Sequence, residues 1–194
     1  MKIVIVRYNA GNVLSVKLAL KRLGHTAVIS DEPDELRAAD RVIFPGQGEA
    51  LSAMRYLREK GLDEVLRKLQ QPVLGICLGL QLMAESSEEN NAPGLGLIPG
   101  RVRRFPDTGK VPHMGWNNIR RLRGPLFDGV PENSYVYFVH GYYMECNPFM
   151  TAEGHYLCPF AASVQKDNFY AVQFHPEKSA ATGERILHNF LTLT

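Results

Sequence analysis

The stretch Val73-Leu74-Gly75-Ile76-Cys77-Leu78-Gly79 joins a short apolar run to a helical pattern. The run 73–76 shows no alternation of apolar and polar residues, which is typical of a parallel strand buried on both faces. A cysteine between two glycines, where a strand passes into a helix, predicts a tight turn that presents a nucleophile. In an open α/β fold such a turn lies at the carboxyl edge of the sheet, where ligands bind.

The residues before this stretch alternate between short apolar runs and helical patterns. We predict strands at 3–6, 27–29 and 42–44, and helices at 13–23, 49–58 and 62–70. Gly24 follows the first helix and is a typical residue to end it. This order predicts an α/β fold of flavodoxin-like type, with a mostly parallel central sheet flanked by helices.

The second half of the chain predicts more antiparallel β-structure. Proline and glycine are frequent between 93 and 131, and strands are expected at 135–139, 162–165 and 170–174. Lys166-Asp167-Asn168 predicts a hairpin turn, and the spacing of Ile186, Leu187, Phe190 and Leu191 predicts a C-terminal helix with Thr182 as its N-cap. No repeat or linker interrupts the pattern, so we expect residues 1–194 to form a single domain.

Composition excludes several classes of function. Of 194 residues, 45% are apolar and 22% charged, with a formal net charge of +2, so neither disorder nor a nucleic-acid or membrane partner is expected. The apolar run at 3–6 is too short for a signal peptide, and we expect a cytoplasmic protein. The three cysteines, Cys77, Cys146 and Cys158, fit neither a disulfide framework nor a zinc site.

Cys77 has candidate catalytic partners near the C-terminus. The helix after Cys77 would present free N–H groups that stabilise a thiolate. His175 and Glu177 follow the strand predicted at 170–174, and Pro176 between them fixes a rigid turn in which the carboxylate can orient the imidazole. A buried structural cysteine and a surface loop with an incidental histidine are the alternatives.

A third motif, Pro45-Gly46-Gln47-Gly48, follows the strand predicted at 42–44. Two glycines around one residue give a backbone that approaches ligands closely or changes orientation. Its N–H groups, with that of Leu78, are candidates for an oxyanion hole. The alternative is an ordinary turn between strand and helix.

These three motifs, in this order, resemble the triad, class-I glutamine amidotransferases. Within that class, further stretches resemble the glutaminase subunits that feed a cyclase of histidine biosynthesis. They are Gly11-Asn12 with Ser15-Val16, Pro112-His113-Met114-Gly115-Trp116-Asn117, Tyr137-Phe138-Val139-His140 and Gln173-Phe174-His175-Pro176-Glu177-Lys178-Ser179. The resemblance covers essentially the whole chain, and the stretch 112–117 is its most specific part.

The resemblance implies a mechanism. Cys77 would attack the carboxamide carbon of glutamine, His175 would carry the proton to the departing ammonia, and Glu177 would orient His175. No metal or organic cofactor is expected. The residues expected to bind the substrate or its oxyanion are Gly46, Gly48, Leu78, Gln81, His140, Gly141 and Tyr142.

The resemblance also implies a partner. The ammonia would pass to a (βα)8-barrel cyclase subunit in a heterodimer, and the expected interface residues are Asn12, Trp116, Tyr137 and Lys178. Two residues depart from the pattern of such subunits. Arg7 stands where they often carry Asp or a small residue, and Gln47 replaces the usual Val between the loop glycines. A polar Gln47 side chain would affect the resting state of the loop.

Three other functions stay open at this point. The same glutaminase chemistry feeds enzymes that amidate sugars for surface polysaccharides. A stand-alone cysteine hydrolase and a silent flavodoxin-like binding module are the others. The intact set of Cys77, His175 and Glu177 argues against the silent module, whereas Trp116 and Lys178 argue against the stand-alone hydrolase.

Overall fold

A computed structural model describes residues 1–9 and 11–193 of the chain. Its α-helices are α1 (Val13–Arg22), α2 (Pro33–Arg37), α3 (Ala50–Glu59), α4 (Leu62–Arg67), α5 (Leu78–Met83) and α6 (Ala180–Leu191). Its strands are β1 (Ile3–Val6), β2 (Ala27–Ser30), β3 (Arg41–Phe44), β4 (Val73–Ile76), β5 (Ser86–Ser87), β6 (Ala92–Pro93), β7 (Arg101–Arg104), β8 (His113–Asn118), β9 (Tyr135–His140), β10 (Tyr142–Met144), β11 (Met150–Tyr156), β12 (Cys158–Lys166) and β13 (Phe169–Val172).

Strand β4 lies at the centre of a seven-stranded sheet with the order β11-β12-β13-β4-β3-β1-β2. The five strands from β13 to β2 are mutually parallel, whereas β12 and β11 add antiparallel pairs at one side. The predicted mostly parallel sheet with an antiparallel second half is therefore confirmed. The predicted hairpin turn at 166–168 is also confirmed, because Lys166 pairs with Phe169.

The central strands are apolar throughout because helices cover both faces of the sheet. Every residue of β1, β4 and β13 is buried. On one face, α3, α4 and α5 contribute core residues such as Met54 and Leu62. On the other, α1 and α6 contribute residues such as Leu20 and Ile186. Burying one such side chain stabilises the fold by roughly 1.5–3 kcal/mol.

Several boundaries differ from the predictions. Helix α4 ends at Arg67 instead of residue 70, and β13 ends at Val172, so residues 173–174 lie beyond the strand. Thr182 as N-cap is wrong, because α6 begins at Ala180 and its N-cap is Ser179. The Gly183 N–H donates to the carbonyl of Ser179 at 3.0 Å, which is the first bond of the helix, so Thr182 already lies inside it.

Two smaller sheets complete the second half. Strands β8 and β9 form an antiparallel pair, and β10, β7, β5 and β6 form a four-stranded sheet. Neither β8 nor β7 was predicted from the sequence. Among the described residues, no helix is long and apolar enough to cross a membrane.

Candidate active site

Cys77 stands in a strained turn between β4 and α5. Its backbone angles are φ 54° and ψ −105°, in a region that non-glycine residues rarely occupy and that is common at functional sites. The flanking glycines are needed because a Cβ on Gly79 would lie 1.9 Å from the carbonyl oxygen of Phe44, and one on Gly75 3.0 Å from the Gly79 backbone. The Cys77 N–H donates to Val172 across 2.8 Å, which ties the turn to β13.

His175 and Glu177 lie beside this turn, both buried. His175 Nδ1 bonds to Glu177 Oε1 at 2.9 Å, so Nε2 is the nitrogen available to a reacting atom. Nε2 has no hydrogen-bond partner among the described residues, and the Cys77 side chain lies next to the ring. The three side chains predicted to act together are therefore brought together.

The surroundings of His175 favour its charged form. Burial lowers the pKa of His175. The hydrogen bonds and charges of the neighbouring Cys77 and Glu177 side chains outweigh this effect and raise the pKa to about 10. A protonated imidazole beside a thiol stabilises the thiolate by direct charge attraction. The arrangement therefore places a charged imidazole, which can act as a proton donor, beside the Cys77 thiol.

Asn12 supports this group from the start of α1. Its side-chain amide donates to Glu177 Oε1, the oxygen that also contacts His175. The predicted interface residue Asn12 is thus in direct contact with the candidate triad. Its left-handed backbone, with φ 75°, turns the chain into α1 at that point.

A pocket of about 370 Å³ opens beside Cys77. Six predicted substrate-binding or oxyanion residues line it, namely Gly48, Leu78, Gln81, His140, Gly141 and Tyr142. Gly46 is not part of the lining. Gln47 of the predicted loop also lines the pocket, together with Glu89, Pro112 and Val139, which were not predicted as pocket residues. The size suits a small molecule such as an amino acid.

Comparison with known proteins identifies the family of this site. The family model of the class-I glutamine amidotransferases matches residues 5–193. The chain belongs to this family. A Bacteroides fragilis (strain YCH46) protein named imidazole glycerol phosphate synthase subunit HisH is 54% identical, with all of both chains covered. The protein of that name from Haemophilus influenzae (strain Rd) is 46% identical over 98% of this chain and 97% of its own.

Solved structures show the same fold at lower identity. A glutamine amidotransferase of known crystal structure has a TM-score of 0.76 at 22% identity, covering 97% of this chain and 96% of its own. PurLQS from Thermotoga maritima has a TM-score of 0.74 at 17% identity, covering 98% and 97%. These likenesses show that the chain has the fold of these proteins.

Two side chains define the hydrogen-bonding character of the amidotransferase pocket. Gln81 Nε2 donates to the carbonyl of Tyr142 at 3.0 Å and to Gln173 Oε1 at 3.2 Å. Both of its hydrogens are used, so only Gln81 Oε1 remains for a ligand. Glu89 brings a half-buried carboxylate to the pocket, and burial raises its pKa. No local motif around Glu89 marks it in the sequence, because its role depends on tertiary packing.

The loop at 45–48 of the amidotransferase does not offer an open oxyanion hole. The Leu78 N–H donates to the carbonyl of Gly46 at 3.3 Å, and the Gly11 N–H donates to the carbonyl of Gln47 at 2.9 Å. The Tyr8 hydroxyl donates to the carbonyl of Pro45. Leu78 and the loop are therefore adjacent, as predicted, but the loop presents a carbonyl to Leu78 and not an N–H group.

A pair of buried histidines supports one wall of the pocket. His140 Nδ1 bonds to the carbonyl of Tyr142 at 2.8 Å, and its Nε2 lies 3.2 Å from His113 Nδ1. Burial lowers the pKa of His140 to about 3 and that of His113 to about 4, so both rings are neutral. The bond to Tyr142 requires a hydrogen on His140 Nδ1, and His113 Nδ1 then donates to His140 Nε2.

The outer face of β8 and β9 carries the predicted aromatic interface residues. Trp116 is 52% exposed and pairs across the strands with the half-buried Tyr137, their rings 5.9 Å apart. Met114 and Tyr135 are also exposed on these strands. We call these four residues the aromatic face. Lys178 is exposed, one residue after Glu177.

Proposed function

We propose that this chain is the glutaminase subunit of an imidazole glycerol phosphate synthase in histidine biosynthesis. Sequence identity of 54% and 46%, over essentially the full chain, to two subunits of that name carries the proposal. It favours the histidine-pathway cyclase over a sugar-amidating enzyme as the recipient of ammonia. The departure at Arg7 does not contradict it, since Arg7 forms an ion pair with Asp31 away from the pocket.

Glutamine hydrolysis proceeds through a thioester on Cys77. The thiolate attacks the carboxamide carbon, and His175 protonates the nitrogen that leaves as ammonia. His175 then takes a proton from water, which attacks the thioester and releases glutamate. Glu177 holds the imidazole at Nδ1, and Asn12 holds the same carboxylate oxygen. The catalytic residues of this proposal are Cys77, His175 and Glu177.

The α-ammonium group of glutamine binds to the hydrogen-bond acceptors of the pocket. Gln81 has only Oε1 to offer, and Glu89 adds a negative charge to the same pocket. The backbone of Gly48, His140, Gly141 and Tyr142 lines the pocket for the carboxylate end. A substrate without an α-ammonium group would leave Glu89 without its counter-charge, which disfavours simple amides.

A (βα)8-barrel cyclase covers the aromatic face in a heterodimer. Aromatic residues are common anchors at interface centres. Tyr137 also connects the face to the candidate triad, because its carbonyl accepts from the His175 N–H at 2.9 Å and its N–H donates to Ser179 Oγ at 2.9 Å. Lys178 pairs with an acidic group on the barrel. Ammonia formed at Cys77 then leaves into the partner, away from water.

Reconstitution tests this proposal. The chain is mixed with the histidine-pathway cyclase of the same organism, and imidazole glycerol phosphate is measured with glutamine or with ammonium salts as the nitrogen source. We expect glutamine to support synthesis only when this chain is present. Synthesis from ammonium salts but not from glutamine plus this chain would refute the proposed pairing. Activation of a sugar-amidating enzyme by the chain would instead support the alternative.

A further inference from the structure

Gln173 contacts the nucleophile and has no role in the mechanism above. It is fully buried, one residue beyond β13 and two before His175. Its Oε1 accepts from Gln81 Nε2 at 3.2 Å, and its Nε2 lies 3.6 Å from Cys77 Sγ as a donor. Buried side-chain amides are almost always hydrogen-bonded, and here one of the partners of the Gln173 amide is the reacting sulfur.

The direction of this donor is fixed. Gln81 Nε2 also donates to the carbonyl of Tyr142 at 3.0 Å, which holds Gln81 with an N–H toward Gln173. Turning the Gln173 amide over would set two NH₂ groups against each other and leave both unpaired. The Gln173 N–H is therefore directed at Cys77 by a chain of bonds that begins at the pocket wall.

The sulfur lies between two groups with opposite preferences. The carbonyl of Val139, 3.7 Å from Sγ, accepts a hydrogen from the neutral thiol and repels a thiolate. The Gln173 N–H offers a hydrogen bond that strengthens when the sulfur carries a negative charge. Removing Gln173 would leave the carbonyl and favour the neutral thiol.

We propose that Gln173 is a further catalytic residue, whose side-chain N–H stabilises the thiolate of Cys77 and whose orientation is set by Gln81. The inference rests on the proposed role of Cys77 as nucleophile. It adds a neutral donor to the protonated His175 as a second stabilising contact. A neutral donor stabilises the thiolate without taking part in proton transfer.

The test measures how readily the Cys77 thiolate forms. The parent, Gln173→Met and Gln173→Glu are alkylated with iodoacetamide over a pH range, and peptide mass mapping follows each cysteine. We expect the midpoint pH of Cys77 alkylation to rise by about one unit in Gln173→Met, the size of a charge-assisted hydrogen bond. Gln173→Glu, which replaces the donor by an acceptor of the same shape, should raise it at least as much.

Two controls separate this effect from loss of structure. The exposed Cys146 of each variant is an internal reference whose midpoint should stay constant. Asn189→Leu removes another buried amide, which donates to the carbonyls of Leu126 and Asp128, and should leave the Cys77 midpoint unchanged. Gln81→Met leaves Gln173 intact but removes its anchor, and should raise the midpoint in the same direction.

The test of the role of Gln173 can fail or succeed independently of the test of the proposed function. With the cyclase present, Gln173→Met should lower kcat about tenfold with a smaller effect on KM. An unchanged alkylation midpoint in Gln173 and Gln81 variants that unfold at the parental temperature would overturn the proposal, whatever the loss of kcat. The alkylation assay uses no glutamine. A parent protein unable to hydrolyse glutamine would therefore refute the proposed function, but the effect of Gln173 on the Cys77 alkylation midpoint could still be measured.

Discussion

The backbone N–H of Leu78 donates to the carbonyl of Gly46 across 3.3 Å. That N–H is the donor expected to bind the oxyanion after Cys77 attacks, and in this structure another carbonyl already occupies it. The Gly46 carbonyl must turn away before the intermediate can be stabilised. The Tyr8 hydroxyl, bonded to the Pro45 carbonyl, and the Gly11 N–H, bonded to the Gln47 carbonyl, hold the loop in its present orientation.

We therefore predict that the isolated protein hydrolyses glutamine slowly. Loss of one oxyanion donor lowers kcat by roughly 10²–10³-fold. The cyclase with its own ligand bound should stimulate glutamine hydrolysis about tenfold or more, as measured by glutamate release. Equal rates with and without the cyclase would contradict the gated loop and favour a stand-alone hydrolase.

Cys77→Ser should abolish glutamine hydrolysis, because a hydroxyl does not form an anion beside His175 as a thiol does. Binding to the cyclase should be retained, since the aromatic face is unchanged. A glutamine-analogue electrophile should label Cys77 and spare Cys146 and Cys158, as read by peptide mass mapping. Near-parental turnover by Cys77→Ser with the cyclase present would exclude Cys77 as the nucleophile.

His175→Ala should lower kcat more than Glu177→Gln does, with a modest change in KM for both. The imidazole moves protons, whereas the carboxylate aligns it through the bond of 2.9 Å to Nδ1. Steady-state kinetics of the two complexes with the cyclase provide the comparison. If Glu177→Gln were as damaging as His175→Ala, the carboxylate would have a larger role than orientation.

Lys178→Ala should weaken the stimulation by the cyclase and leave the fold intact. The side chain is exposed and follows Glu177, so its removal alters the surface without opening the core. Titration of glutaminase activity with the cyclase gives both the half-saturating concentration and the maximal stimulation. Lys60→Ala, an exposed lysine at the end of α3, is the matched control and should behave as the parent. Identical titrations for Lys178→Ala and Lys60→Ala would remove Lys178 from the interface.

The parts of the fold that depend on local pattern were predictable from the sequence. Strands β1 and β4 were predicted with the bounds that the structure gives, because an apolar run buried on both faces needs no distant information. Strand β8 was not predicted because its pattern is inverted. Its buried positions include His113 and its exposed positions include Met114 and Trp116. Periodicity assigns apolar residues to the core, so it misreads a strand whose apolar face is exposed.

Those residues of the site that belong to a local sequence motif were predictable. Cys77, His175 and Glu177 stand in recognisable stretches, and the structure brings them together. Glu89 reaches the pocket only through packing of the turn after β5, and nothing in its neighbours signals that position. Asn12 was assigned to the partner interface by resemblance, yet its amide contacts Glu177, 165 positions further along the chain. Contacts over such separations follow from the topology and not from any one stretch.

Acid should destabilise the protein through the pair His113 and His140. Their folded pKa values of about 4 and 3 lie below the ordinary 6.5, because burial disfavours the charged rings. Below pH 6.5 the unfolded chain therefore binds protons that the folded chain does not, and the free energy of unfolding falls as pH decreases toward 4. Each histidine contributes a loss of up to about 1.4 kcal/mol per pH unit in that window.

Urea unfolding at a series of pH values measures this dependence. His113→Gln removes one of the two groups and should flatten the dependence between about pH 6.5 and 4. His188→Gln, at an exposed position of α6, is the control and should keep the parental slope, whatever its effect on overall stability. The carboxylates contribute equally to all three proteins, so the difference in slope isolates the histidine. Parallel curves for the parent and His113→Gln would mean that His113 binds a proton as readily in the folded state as in the unfolded chain, and the lowered pKa of His113 would have to be abandoned.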